Sequence, residues 1–526
     1  MPPIMKPAFF QGLKLYNRDA FAHDVVAGII VAVIALPLSI ALGIQSEASL
    51  QQGLLTAISA GFLIALFGGT RFQIGGPSAT FVAVVASLIS ILDIIPILGA
   101  GIVLIFMGLL KVGGLVKYIP YPIVIAFTTS IGITLIVSQV KDFFALTFPV
   151  GTPGDFISKI IACFQCFGSL QIATLIIGLI TLAILVFFPK ITKKIPAAAI
   201  AIIVATLVTA TLSKTSFGAT IPTIGSTFGE VKAKIYALPI TTVANFDFSV
   251  IIVPSIILAF LSAMESLLSA TVADEMTNLR HDSNMELVAE GIANIGSGCI
   301  GGLPATGAIA RTAANIKNGA HTPMAGMIHA LIVLLMYIVL MPVVQFIRMT
   351  SLVAVLIMVS IGMANFKLFG NLMTFNWKDT TVIVVTCTLT LLKDLVWGVG
   401  GGIGLALLLQ IPALLKPITL IEEDDNSDFF GVATFLKEEV MIYKATGNIN
   451  FTNAANFQSL CAEILKQTDL LVIDMSDVKS VDITGVEKMV KAERRALLNW
   501  KSIMFLNENP SVAFQHKKAQ RVISGS

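Results

Sequence analysis

At 526 residues, of which 56% are AVILMFWYC and only 12% are charged, the chain has a mean hydropathy of +0.89. Ordinary soluble domains carry about 25% charged residues, so a single water-soluble enzyme of this length is a poor fit. The net charge of +3 is too small over so long a chain to point to nucleic acid or an acidic partner, and five cysteines are too few for a disulfide scaffold.

Charge is unevenly placed: of the 34 Lys+Arg and 31 Asp+Glu, 27 together fall in the last 106 positions, which describes a membrane body with a soluble tail. The first apolar stretch begins only after Asp24 and has no small-residue cleavage site, so no cleavable signal peptide is expected. A spanning helix needs about 20 apolar residues and about 28 with its turn, which leaves room for about 14 passes before Leu420. The predicted segments are Asp24–Leu42, Leu50–Gly69, Pro77–Ser90, Ile94–Lys111, Pro120–Gln139, Gln171–Phe188, Pro196–Ser213, Ser249–Val272, Glu286–Ile300, Pro304–Lys317, Pro323–Phe346, Leu352–Phe366, Thr380–Leu392 and Leu395–Leu415. With the N-terminus inside, most loop cations, among them Lys6, Lys14, Arg18, Arg71, Lys190, Arg280 and Lys378, fall on the inner side. Lys141 and Lys393 fall outside, each followed by an Asp. An even number of passes returns the tail to the cytoplasm.

The third and tenth segments are short and share an opening, Gly75-Gly-Pro77-Ser-Ala-Thr80 and Gly301-Gly-Leu-Pro304-Ala-Thr306. Three and ten are equivalent positions in two halves of seven, and an odd number makes the halves enter the membrane in opposite senses. Such inverted repeats place broken helices at the substrate site. Glycines permit a non-helical approach, and proline starts a helix without wasting a donor. The first-turn amides at Ser78–Thr80 and Ala305–Gly307 are then expected to face an anion, each helix end contributing about half a positive charge. Ser78, Ala79, Thr80, Thr306, Gly307, Ala308 and Ala310 are therefore candidate substrate-binding residues; the alternative is ordinary inter-helix turns.

Glu265 lies well inside the eighth apolar segment, where a charge costs a few kcal/mol, and is a candidate proton carrier or a carboxylate neutralised by a fixed partner. Arg311 follows Pro304 by about two helical turns and either strengthens the anion site, pairing with Glu265 when the site is empty, or snorkels to the surface. Asp274, Glu275, Arg280, His281 and Asp282 read as a solvated inner loop, and the pair Cys163 and Cys166 reads as structural. No Walker motif, nucleophile elbow, HExxH or dinucleotide fingerprint occurs, and no metal site or cofactor is expected.

After the acidic linker of residues 421–435, strands at Val440–Lys444, Leu470–Asp474 and Ser502–Leu506 alternate with helices at Asn453–Leu465 and Val486–Leu498, a small α/β domain over residues 436–526. Thr484 falls at a helix start, where free amides would receive a phosphate; it is a possible phosphorylation site or a helix cap.

Asp24-Val-Val-Ala-Gly28, Ala35-Leu-Pro37-Leu-Ser-Ile-Ala-Leu-Gly43, Gly75-Gly-Pro77, Met264-Glu265-Ser-Leu-Leu268 and the run Gly301 to Arg311 resemble the SulP anion transporter family. Asp474-Met-Ser476 and Asp482-Ile-Thr-Gly485 resemble a STAS domain. The resemblance covers nearly the whole chain: residues 1–23 form an N-terminal segment, 24–420 the transporter and 436–526 the STAS domain. It implies an all-α polytopic 7+7 inverted repeat, in which core helices one to four and eight to eleven move against gate helices five to seven and twelve to fourteen as an elevator. It also implies a homodimer. Arg311 matches the position where many anion-carrying members have Arg, Glu265 the acidic position linked with coupling, and Thr484 the phosphorylated Ser or Thr of stand-alone STAS proteins.

The expected function is secondary transport of sulfate or a related inorganic or dicarboxylate anion with protons, across a bacterial-type inner membrane with both termini cytoplasmic. Alternatives are sodium-coupled bicarbonate transport, exchange, a channel, or an anion sensor signalling to a cytoplasmic partner through STAS. No paired catalytic groups point to an enzyme.

Overall fold

Without water to receive peptide groups, an apolar segment satisfies its backbone locally only as a helix, and the long apolar runs before Leu414 are helical among the described residues. A computed structural model describes residues 5–12, 16–82, 84–85, 95–114, 120–149, 153, 155–192, 195–212, 221–229, 232–235, 248–277, 279–364, 366, 377–393, 395–414, 419–422, 440–451, 453–508, 512–513 and 516–517. They fall into two units, Met1–Val116 with Thr134–Gly362, and Lys117–Ile133 with Met363–Ser526.

Helix α1 spans Arg18–Gln45 and α2 Leu50–Phe67. Strand β1 (Gly75–Pro77) and one 3-10 turn (Ala79–Phe81) come next. Then follow α3 (Ile95–Leu109), α4 (Tyr121–Phe144), α5 (Ile172–Ile191) and α6 (Ala197–Leu212). The second half runs α7 (Phe248–Thr277), α8 (Ser283–Cys299), β2 (Ala305–Gly307), α9 (Ile309–Lys317), α10 (Met324–Val344), α11 (Met349–Met363), α12 (Trp377–Leu392) and α13 (Leu395–Leu414). Each predicted segment has its counterpart here. The third and tenth differ in kind: they open as strands rather than as helices beginning at Pro77 and Pro304, and α9 starts only at Ile309. The rest of the predicted Pro77–Ser90 segment, at 83 and 86–90, lies outside the described residues, as do 423–435 of the acidic linker and 436–439 after it.

Among the described helices α1, α2, α4, α5, α7 and α10 are long and apolar enough to cross a bilayer, while α3, α6 and α11 are shorter and apolar. On α10, Leu331, Leu335 and Ile338 are exposed while His329, Val333 and Tyr337 are buried, so one stripe faces outward and lipid tails cover it without cost.

Two buried carboxylates tie the halves together. Asp24 on α1 accepts amides from His321 (2.7 Å) and Thr322 (3.1 Å) ahead of α10. Glu286 on α8 accepts those of Gly69 (2.8 Å) and Thr70 (3.1 Å) after α2. Each holds a turn of the opposite half. The loop between α7 and α8 is less solvated than its composition suggests: the His281 ring, its side chain 10% exposed, lies 2.8 Å from Asp274 and 2.9 Å from Ser283.

In the second unit a four-stranded sheet is ordered β3-β4-β5-β6, with β3 (Thr419–Glu422) antiparallel to β4 (Val440–Ile449), and β5 (Leu470–Val481) parallel to both β4 and β6 (Ser502–Leu506). Helices α14 (Ala454–Ile464) and α15 (Ile483–Leu498) close its core, in which Phe457, Leu471, Ile473 and Met489 are buried. His516 sits between two carboxylates, 3.2 Å from Glu493 and 2.7 Å from Glu508. Burial works against its charged form, but hydrogen bonds to those carboxylates and their charges outweigh it and lift the pKa to about 9. The folded pKa exceeds the unfolded one, near 6.5, so the ion cluster contributes its full stability below pH 6.5 and loses it as pH rises through 9. The contribution is on the order of 3 kcal/mol at most. In full-length protein, hydrogen exchange of β6 and α15, corrected for intrinsic rates, is expected to show less protection at pH 9 than at pH 6.5, and His516→Gln is expected to flatten that dependence.

Candidate functional site: a strand pair between two broken helices

The two helix breaks meet. β1 and β2 pair antiparallel, Gly75 with Gly307, Gly76 with Thr306 and Pro77 with Ala305, all buried. The pairing corrects one expectation: the backbone of Thr306 and Gly307 lies in a ladder rather than at a helix start, because peptide groups freed inside an apolar body take the nearest partner. Ala305 N donates to Asn294 Oδ1 (3.0 Å) and Ala308 N to Ile74 O (2.9 Å). The uncapped helix start comes later, at α9, where Ala308 has no side-chain acceptor for the first amides and Ala310 is exposed. On the other side Ser78 caps the turn through Ala79 and Thr80, its hydroxyl accepting from Thr80 N at 3.3 Å.

One face of α7 runs against this junction. Ser262, Glu265, Ser266 and Ser269 recur at helical spacing and are buried. Ser78 Oγ donates to Glu265 Oε1 (2.6 Å), Thr306 Oγ1 to Ser262 O (3.1 Å), and Ser269 Oγ to Thr312 Oγ1 (3.1 Å). Gln73 Nε2 donates to Ser266 Oγ (2.6 Å). A methyl group at Gly307 would fall on the Gln73 side chain, so only glycine lets that amide lie across β2.

Arg311 is 2% exposed and reaches back across the strand pair, Nη2 donating to Pro77 O at 2.6 Å. It does not snorkel. Gly76 has φ +150° and a Cβ there would come 2.5 Å from Nη1, so the guanidinium occupies the space that glycine leaves. Arg311 and Glu265 feel each other's charge without a direct ion pair, each instead bonded to the β1 side of the junction. Nε and Nη1 of Arg311 and Oε2 of Glu265 are buried with no hydrogen-bond partner among the described residues.

Sequence reasoning passed over three further groups. Glu290 on α8 is fully buried, Oε1 3.0 Å from Ser262 Oγ and Oε2 2.9 Å from Ser266 Oγ; its place one turn after Glu286 was the available signal. Gln73 had none. His329 on α10 is buried within reach of the Arg311 charge, with neither ring nitrogen partnered among the described residues.

Thr484, in the second unit, is 4% exposed. Its Oγ1 accepts from Tyr121 N, the first amide of α4, at 3.0 Å. The amides expected to be free for a phosphate are occupied: Ile483 N donates to Asp379 of α12 (2.9 Å) and Gly485 N to Asp482, the N-cap of α15 (2.7 Å).

The profile of the sulfate permease family matches residues 21–386 and that of the STAS domain residues 434–519. The chain is 34% identical over 480 residues to the putative sulfate transporter YvdB of Bacillus subtilis, covering 90% of this chain and 88% of that protein. It is 28% identical over 499 residues to the bicarbonate transporter BicA of Synechocystis sp., covering 90% and 86%. Among solved structures, the transmembrane domain of a cyanobacterial BicA superposes with a TM-score of 0.64 at 28% identity over 73% of this chain and 99% of that one. The overall structure of SLC26A9 superposes at 0.68 and 18% identity over 98% and 89%. The fold is thus a polytopic 7+7 inverted repeat carrying a STAS domain, and the chain belongs to the sulfate permease family, integral membrane transporters rather than enzymes.

Proposed function

We propose that the protein is a proton-coupled anion symporter in which the junction of β1, β2 and α7 holds the anion and Glu265 carries the proton. The observation that carries this reading is the pairing of opposite needs in one buried place: Arg311 has two unpartnered donor nitrogens, and Glu265 has one unpartnered oxygen. An anion neutralises the guanidinium, and a proton neutralises the carboxyl; binding both together lets the loaded site cross an apolar barrier with less net charge. The uncapped amides at the start of α9, with Ala308 and Ala310, and the Ser78–Thr80 turn supply further donors. Thr306 and Gly307 act through the strand that aims them.

Sulfate or a dicarboxylate is the favoured substrate class, supported by the similarity to YvdB. Sodium-coupled bicarbonate transport is the second reading, supported by similarity to BicA in both sequence and structure. Movement of helices one to four and eight to eleven as an elevator, a homodimer, and cytoplasmic ends in a plasma membrane complete the proposal. Domain limits at residues 24–420 and 436–526, with β3 (Thr419–Glu422) joining the sheet of the second from ahead of its limit, and Thr484 as a regulated residue, belong to it as well.

In proteoliposomes with labelled sulfate or bicarbonate, an inward proton gradient is expected to drive accumulation above equilibrium. Glu265→Gln is expected to lose that accumulation while measurable counterflow exchange remains; full pH-driven uptake by this variant would sink the role of Glu265. Arg311→Ala removes a charged donor worth about 1.5–3 kcal/mol and is expected to raise the half-saturation concentration roughly tenfold or more. An unchanged half-saturation would assign the arginine to holding β1 alone.

A further inference from the structure

Buried deeper than Glu265, a second carboxyl, Glu290, shares a serine hydroxyl with the β2 backbone, so its protonation state sets which way that hydroxyl points. Ser266 Oγ accepts from Gln73 Nε2 at 2.6 Å, so its own hydrogen goes to Glu290 Oε2 at 2.9 Å. Ser262 is oversubscribed. Its Oγ lies 2.8 Å from Ala305 O and 3.0 Å from Glu290 Oε1, and a serine hydroxyl has one hydrogen. The Ala305 carbonyl can only accept, so while Ser262 donates to it a bond between Ser262 and Glu290 needs a hydrogen on Oε1, the protonated acid. If Glu290 ionises, Ser262 turns its hydrogen to the carboxylate, and Ala305 O keeps only the bond from Asn294 Nδ2 at 3.0 Å. Ala305 is the β2 residue paired with Pro77, whose carbonyl binds Arg311.

We propose that Glu290 is a second proton-carrying group of the transport cycle, and that Ser262 transmits its protonation state to β2 and so to the anion site. The inference rests on the symport reading above. The O–H bond at Oε1 breaks, the proton passes to a water molecule of the open site, and the Ser262 hydrogen swings from Ala305 O to Oε1; reloading reverses these moves. The charged groups that act on Glu290 are Glu286, one turn earlier on α8, and Glu265 on α7. The other helices packed against α8, α2 and α3, carry no titratable residue.

The test is Glu290→Gln, which mimics the protonated acid: its amide nitrogen donates to Ser262 and its oxygen accepts from Ser266. The variant should therefore fold, as judged by a monodisperse elution profile and an unchanged melting temperature in detergent. With labelled sulfate or bicarbonate and an entrapped pH dye, the expected result is a lower proton-to-anion ratio than wild type and the loss of one titration step from the pH profile of uptake. Ser262→Ala should keep the ratio but weaken anion binding severalfold. A wild-type ratio and pH profile in Glu290→Gln, while Glu265→Gln loses coupling, would overturn this inference alone. Wild-type uptake indifferent to a proton gradient would overturn the symport reading and this inference with it.

Discussion

A helix broken inside a bilayer leaves peptide groups with no water to receive them, and each unsatisfied group costs several kcal/mol. Here the two breaks satisfy each other: Gly75–Pro77 and Ala305–Gly307 form a three-residue antiparallel ladder between the halves of the chain. Everything at the site follows from that pairing. It fixes β1 against β2, places the Ser78 turn and the start of α9 at adjacent ends, and brings the Pro77 carbonyl within reach of Arg311 from the opposite half. Asp24 and Glu286 repeat the logic at the periphery, where one carboxylate from each half receives amides of the other. Hydrogen bonds to charged acceptors are the strong kind, and a buried carboxylate must have them.

The face of α7 explains how so many polar groups fit beside this ladder. Serines at 262, 266 and 269 are small enough for backbone to approach and still offer a hydroxyl that both donates and accepts. Such hydroxyls reverse direction at little cost, so the seam accommodates a carboxyl with or without its proton. Arg311 differs: its donors are fixed, always charged and in a rigid fork, which suits an anion that must be held in one orientation.

The segment count, the inverted repeat, the broken third and tenth segments, and the candidates Glu265 and Arg311 were all legible in the sequence, because each rests on local composition or on a repeated motif. What escaped is what depends on tertiary partners. Gly-Gly-Pro reads equally as an approach to a helix and as a strand, and only the second copy lying alongside decides for the strand; the free amides consequently sit past Ala308 rather than at Ala305–Gly307. Gln73 and His329 are single polar residues in apolar surroundings, a pattern that carries no distance information. Glu290 was visible as a second acid on the helix of Glu286, but its serine partners lie on a different helix, 24 and 28 positions away.

The second unit applies the same rule about helix ends at a different boundary. The first amide of α4 is received by the hydroxyl of Thr484 on α15, the first amide of α15 is received by Asp379 on α12, and Ile483 packs against Ile125 and Tyr121. Each helix start supplies what a neighbour's start lacks. A STAS domain attached only by its linker would leave these ends to water. Sharing caps makes its position depend on how α4 and α12 are placed, and their placement on it. A phosphate on Thr484 would esterify the buried oxygen that receives Tyr121 N, demand room there, and set about two negative charges beside Asp379 and Asp482, whose carboxylates already occupy amides of the first turn of α15. A phosphate at this position would therefore disturb the shared caps rather than dock on a waiting helix end.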